Sequence, residues 1–63
     1  MDKMVLFKIR IYEPSAEKGS ADKLVFASNF YTLLDATSFI DEHEDSIVKK
    51  HYKVNITTQE VDL

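Results

Sequence analysis

Two histidines, a run of carboxylates and three well-placed cations are the groups with which this chain could do chemistry. His43 stands inside Asp41-Glu42-His43-Glu44-Asp45. An imidazole titrates near neutrality, so between two glutamates it could serve as a pH-sensitive group or a ligand. The plainer reading is a histidine that packs a helix onto a sheet with one hydrogen bond. His51 follows Lys49 and Lys50, which reads as the end of a helix, where cations oppose the negative dipole terminus. A metal site needs ligands converging on one point. Neither histidine has a second one four residues away, the chain has no Cys, and the run lacks the spacing of a calcium loop. The expectation is therefore no metal, no cofactor and no catalytic group. Without cysteine, disulfides, zinc-finger patterns and thiol nucleophiles are excluded.

What remains is surface chemistry. Asp41, Glu42, Glu44 and Asp45 form either a solvated helix face or an anionic docking surface for a basic protein, such as a nucleic-acid enzyme with a cationic channel. Asp41, Glu42 and Asp45 share the outward side and would lead that contact. The second candidate surface is apolar and basic: Leu6, Lys8, Arg10, Tyr12, Val25, Tyr31 and Lys53. It is either a merely solvated sheet face or a partner or homodimer interface, with Leu6, Tyr12, Val25, Ala27 and Tyr31 as apolar anchors and Arg10 as a hot-spot candidate. Alternatively, Tyr12 and Tyr31 would stack bases while Lys8, Arg10 and Lys53 hold phosphates of a single strand. The net charge of −3 and the absence of an RNP-like aromatic motif rank nucleic acid below protein as the partner.

These groups must be positioned by a small scaffold. The stretch Val5 to Tyr12 puts Val5, Phe7, Ile9 and Ile11 on one face and Leu6, Lys8, Arg10 and Tyr12 on the other. That period of two, in residues rich in β-branched and aromatic side chains, predicts a central strand over 4–12. The next stretch, 13–23, holds the only Pro and the only Gly and reads as a loop. Alternation resumes over 24–31, a second strand. Pairing the two apolar faces sets Ile11 opposite Phe26 and Phe7 opposite Phe30, and on the outer side Tyr12 opposite Val25 and Leu6 opposite Tyr31. A one-residue slip would bury Lys8 and Arg10.

Thr32-Leu33-Leu34-Asp35 has the pattern of a helix N-cap with an acid in the first turn. Leu33, Ala36, Phe39, Ile40, His43 and Ile47 then recur at helical spacing, predicting a helix over 33–50. Such a helix would run about 27 Å and an eight-residue strand about 26 Å, so one helix could cover the sheet from end to end. Asp41 to Ser46 is its weak point, where poor helix formers could split it into two pieces. A third strand is expected over 52–58, with Tyr52, Val54 and Ile56 inward and Lys53, Asn55 and Thr57 outward. Val61 departs from that pattern, so the strand should end or bulge near Thr58. A right-handed crossover then gives an α+β domain of type ββαβ, a three-stranded antiparallel sheet of order 2-1-3 with one helix on one face.

Sixty-three residues make one domain, near the lower limit for folding without metal or disulfide, with a core contributing about 3–5 kcal/mol. No stretch approaches the ~20 apolar residues of a membrane span, and Met1-Asp2-Lys3-Met4 is not the start of a signal peptide. The expected setting is the cytoplasm, with no membrane.

Tyr31-Thr32-Leu33-Leu34-Asp35-Ala36 running into a helix, followed by Tyr52-Lys53-Val54-Asn55-Ile56-Thr57, resembles the layout of the small host RNA polymerase inhibitors of podoviruses. The likeness spans about the last two thirds of the chain. It implies a non-catalytic phage protein that binds a large basic enzyme, and no binding residue carries over, because that family's Trp and Cys have no counterpart here. Asp35-Ala36-Thr37-Ser38-Phe39 with the following acids also resembles a helix start in an uncharacterised domain family of Bacteroidetes and their mobile elements, which implies no function. The expectation is thus a phage or mobile-element modulator that inhibits a host protein by occlusion.

Overall fold

The computed structural model describes residues 2–63. Its elements are β1 (Lys3–Glu13), β2 (Lys23–Phe30), α1 (Leu33–Glu42), α2 (Glu44–Lys50) and β3 (Lys53–Asp62). The strands form one antiparallel sheet in the order β2-β1-β3. The most apolar strand lies in the middle, where both of its edges are paired. Phe7 faces Phe30 and Ile11 faces Phe26, the register that keeps Lys8 and Arg10 out of the core.

The β1–β2 pairing changes near its loop end. Tyr12 pairs with Leu24, leaving Val25 as the extra residue of a bulge. Val25, expected opposite Tyr12 on the outer face, instead packs against the core cluster. Leu24 takes its place opposite Tyr12. The intervening loop turns at Gly19, whose φ of 90° favours a residue without a Cβ. Asp22 holds the loop closed by accepting the Ser15 N–H at 3.0 Å.

Thr32 caps α1 as its spacing predicts, its hydroxyl accepting the Asp35 N–H at 3.2 Å. The helical segment is not continuous. At His43 (φ −105°, ψ 7°) the chain leaves helical geometry, with the His43 N–H donating to Ile40 O at 3.0 Å, and α2 restarts as Ile47 N–H donates to His43 O at 2.9 Å. The break falls in the predicted weak stretch, and its electrostatic logic is local. The break turns Glu44 and Asp45 into first-turn acids of α2, which favours its start, while it leaves Asp41 and Glu42 in the last turn of α1, where acids oppose the dipole. α2 ends at His51 in the left-handed region (φ 56°, ψ 38°), where the His51 and Tyr52 N–H groups both reach Ile47 O.

Among the described residues, Ile9, Ile11 and Ala36 alone are fully buried. Phe7, Val25, Phe26, Phe30, Phe39, Ile40, Ile47 and Tyr52 pack around them. α1 lies over β1 and β2, and a helix about 10 Å wide covers little more than two strands spaced ~4.8 Å apart. The helix-side row of β3 is consequently left in the open. Ile56, cross-strand from the fully buried Ile9, is 48% exposed, Val54 is 37% exposed, and Val5 at the end of β1 is 42% exposed. The expected end-to-end cover of the sheet is thus realised over two strands only.

β3 also runs further than expected. It stays in unbroken register with β1 from Tyr12–Lys53 to Lys3–Asp62. Val61 does not interrupt the alternation. It sits opposite Met4, on the same outward face as Lys53, Asn55 and Thr57, so polarity changes there while the period does not. Because β2 pairs only as far as Phe7, residues 3–6 and 59–62 form a two-stranded arm. The molecule measures 47 × 25 × 10 Å.

Candidate interaction surfaces

The sheet face away from the helices is crossed by no other described element. β1 contributes Met4, Leu6, Lys8, Arg10 and Tyr12 to it, each half-buried among its neighbours. β3 adds Lys53, Asn55, Thr57, Gln59 and Val61, and β2 adds Leu24, Ala27 and Asn29. Cross-strand pairing places Met4 beside Val61 and Leu6 beside Gln59 at one end, and Tyr12 between Leu24 and Lys53 at the other. Two apolar ends thus flank a basic middle of Lys8 and Arg10.

The cations differ in how they are held. Arg10 lies against β2, its Nη1 donating to Ile9 O at 2.7 Å, Asn29 Oδ1 at 3.1 Å and Ser28 O at 3.3 Å. A guanidinium fixed this way has less rotamer freedom to lose on binding a partner. Lys53 reaches past Tyr12 to the loop, where its Nζ lies 3.0 Å from Asp22 Oδ2. The Ser15 N–H and then the Lys53 ammonium hold the Asp22 carboxyl below the usual carboxylate range. Lys53 therefore ties β3 to the β1–β2 loop. Lys8 has no ion-pair partner among the described residues.

Two residues assigned to this face from the sequence are elsewhere. The bulge turns Val25 to the core. Tyr31 lies beyond the end of β2 in the two-residue link to α1, 59% exposed and unpaired with Leu6, whose partner is Gln59. Seven residues of extended chain separate Leu24, the partner of Tyr12, from Tyr31, about 23 Å. The two tyrosines do not form a joint stacking platform. Met4, Gln59 and Val61 were missed, although their parity with Leu6 and Thr57 assigns them to this face once β3 is allowed to continue.

On the opposite side, Asp41, Glu42, Glu44 and Asp45 are all exposed and straddle the helix break. His43 between them points inward. Its ring centroid is 4.4 Å from that of Phe26 and 4.6 Å from that of Phe39, and Nδ1 lies 2.8 Å from Phe39 O. A carbonyl can only accept, so Nδ1 carries the proton and donates. This is the packing histidine of the plainer reading. Among the described residues no group of three or more His, Cys, Asp or Glu side chains converges on a metal position, no pocket forms, and no helix is long and apolar enough to cross a membrane. Comparison with known proteins returned no match to a family model, a curated protein or a solved structure.

Proposed function

We propose that this chain is a non-catalytic protein-interaction module, a phage- or mobile-element-type modulator that binds a host protein in the cytoplasm and acts by occluding a working surface of that protein. The observation that carries this reading is the uncovered sheet face, which forms no pocket among the described residues and has apolar ends around the pinned Arg10. Faces of this kind suit a macromolecular partner better than a small ligand, which needs a concave site. Arg10 and Tyr12 have the residue types and half-buried setting of interface anchors. The acidic surface of Asp41, Glu42, Glu44 and Asp45 is the secondary contact, suited to a basic target such as a nucleic-acid enzyme. The geometry gives less support to single-strand nucleic acid, because the tyrosines are far apart and Lys53 is engaged by Asp22.

The test is a pull-down with tagged chain from bacterial lysate, with and without nuclease, followed by affinity measurements on the purified partner. A stoichiometric protein retained after nuclease is expected. Arg10→Ala and Tyr12→Ala should each weaken it by on the order of tenfold or more. Reversal of Asp41, Glu42 and Asp45 to Lys should reduce the association rate more than the lifetime of the complex. Retention that disappears with nuclease would overturn the reading in favour of nucleic acid.

A further inference from the structure

The two edges of the sheet are built differently. The β2 edge is interrupted by the bulge at Val25, which discourages another strand from adding. The β3 edge, which like β2 starts on a lysine, has no such interruption along its length. Its pairing with β1 is regular over all ten residues, it contains no Pro, and Val54-Asn55-Ile56-Thr57-Thr58-Gln59 carries no charge. Four of those six residues are β-branched, the types favoured in strands. On a strand paired along one side only, alternate residues turn their N–H and C=O groups outward, here about five residues of unpaired backbone.

From this the geometry points to β3 as the place where a second copy of the chain adds, strand to strand and antiparallel, to make a continuous six-stranded sheet. The strand is complementary to itself. Under a two-fold axis perpendicular to the sheet, a pairing centred on Thr57 sets Ile56 opposite Thr58 of the second copy, Asn55 opposite Gln59 and Val54 opposite Glu60, with no like charges directly opposed. The same pairing supports the arm. Gln59 to Val61 have only β1 beside them, and a two-stranded ribbon is marginal in water. The second copy lays its Lys53 to Asn55 alongside, making the arm three-stranded.

The surface area agrees in size. The chain exposes 4930 Å², whereas a folded monomer of 7.3 kDa is expected to expose about 4160 Å². The excess of about 770 Å² is close to the ~800 Å² that each partner loses in a standard interface. The radius of gyration of 13.8 Å likewise exceeds the ~10.6 Å expected for a compact chain of this length. This inference uses the edge of the sheet and not its open face, so it stands or falls separately from the host-protein reading.

The experiment is sedimentation equilibrium of the full chain over a range of concentrations, with hydrogen exchange on the same samples. Two-chain mass is expected at high concentration, together with concentration-dependent protection at alternating residues of β3. Ile56→Lys with Thr58→Lys sets cations opposite one another across the axis while touching no buried residue. It should raise the dimer dissociation constant by about tenfold or more with an unchanged circular dichroism spectrum. One-chain mass at millimolar concentration, or a double variant that dimerises as well as the wild type, would overturn the proposal. If the double variant unfolds, concentration-dependent protection of β3 in the wild-type chain decides, and its absence refutes the pairing.

Discussion

Ile9 and Ile56 are the same residue, on the same face of the sheet, directly cross-strand from each other. One is fully buried and the other 48% exposed. Truncating each to Ala therefore compares a position enclosed by α1 and by strands on both sides with one on the uncovered edge strand. Ile→Ala removes three carbons, about 2.4 kcal/mol of transfer free energy when fully buried. At Ile9 the cavity left under α1 adds to this, giving about 3–4 kcal/mol. That is close to the ~3–5 kcal/mol available to a core of this size, so Ile9→Ala should be largely unfolded at room temperature. At Ile56 about half the transfer term applies and no enclosed cavity forms, so the cost should be near 1 kcal/mol. Urea unfolding followed by circular dichroism, at dilution low enough for a single chain, measures both. Ile9→Val, expected to lose about 1 kcal/mol, supplies a folded variant if Ile9→Ala has no measurable transition. Losses at the two Ala positions that agree within ~0.5 kcal/mol would show that α1 covers β3 as fully as β1, and the account of the uncovered row would be wrong.

Two further outcomes follow from local features. His51 holds a left-handed conformation that costs a residue with a Cβ about 1–2 kcal/mol, so His51→Gly should raise the urea midpoint despite glycine's greater freedom in the unfolded chain, and His51→Val should lower it. Asp22 has its carboxyl pKa depressed in the folded chain, by the Ser15 N–H first and Lys53 second. A depressed acid contributes stability that is fully present above its unfolded value, near 3.9, and is lost as the pH falls through the folded value. The stability difference between wild type and Asp22→Asn should therefore be constant at neutral pH and shrink as the pH falls below about 4, and a difference that grows on acidification would contradict this.

Much of the fold was legible because it rests on local patterns. The alternation of Val5 to Tyr12 names the central strand, and the cost of burying Lys8 and Arg10 fixes its register with β2. Thr32 and Asp35 mark the helix start by a hydrogen bond only three residues long. The errors arise where tertiary geometry overrides pattern. Nothing in Leu24-Val25-Phe26 announces a bulge, because all three are apolar and either phase satisfies the core. That ambiguity misplaced Val25, and the outer face lost one of its expected anchors. Tyr31 has the right parity for the face but lies one residue past the last strand pairing, where the chain is already turning towards α1. Val61 departs from its strand in hydropathy only, and its position in the period assigns it to the outward face. The half-covered β3 could not be read from the helix's length, since length determines reach along the strands and width determines how many strands are covered.

The incomplete cover also links the two surfaces. A two-fold axis perpendicular to the sheet would put both pairs of helices on one side and both open faces on the other. The β1 strands of the two copies would then be separated by three strand spacings, about 14 Å, with Lys8 and Arg10 from each copy on one surface. Such a surface is twice as wide as that of one chain and is symmetric, so its best complement is a partner patch with matching symmetry or one broad enough to span both copies. Dimerisation and target binding would then reinforce each other, because a partner that touches both copies binds the dimer more tightly than the single chain and shifts the equilibrium towards it. A target that contacts one copy only would leave that equilibrium unchanged. The concentration dependence of dimerisation, measured with and without the captured partner, therefore reports how far the footprint of the partner extends across the axis.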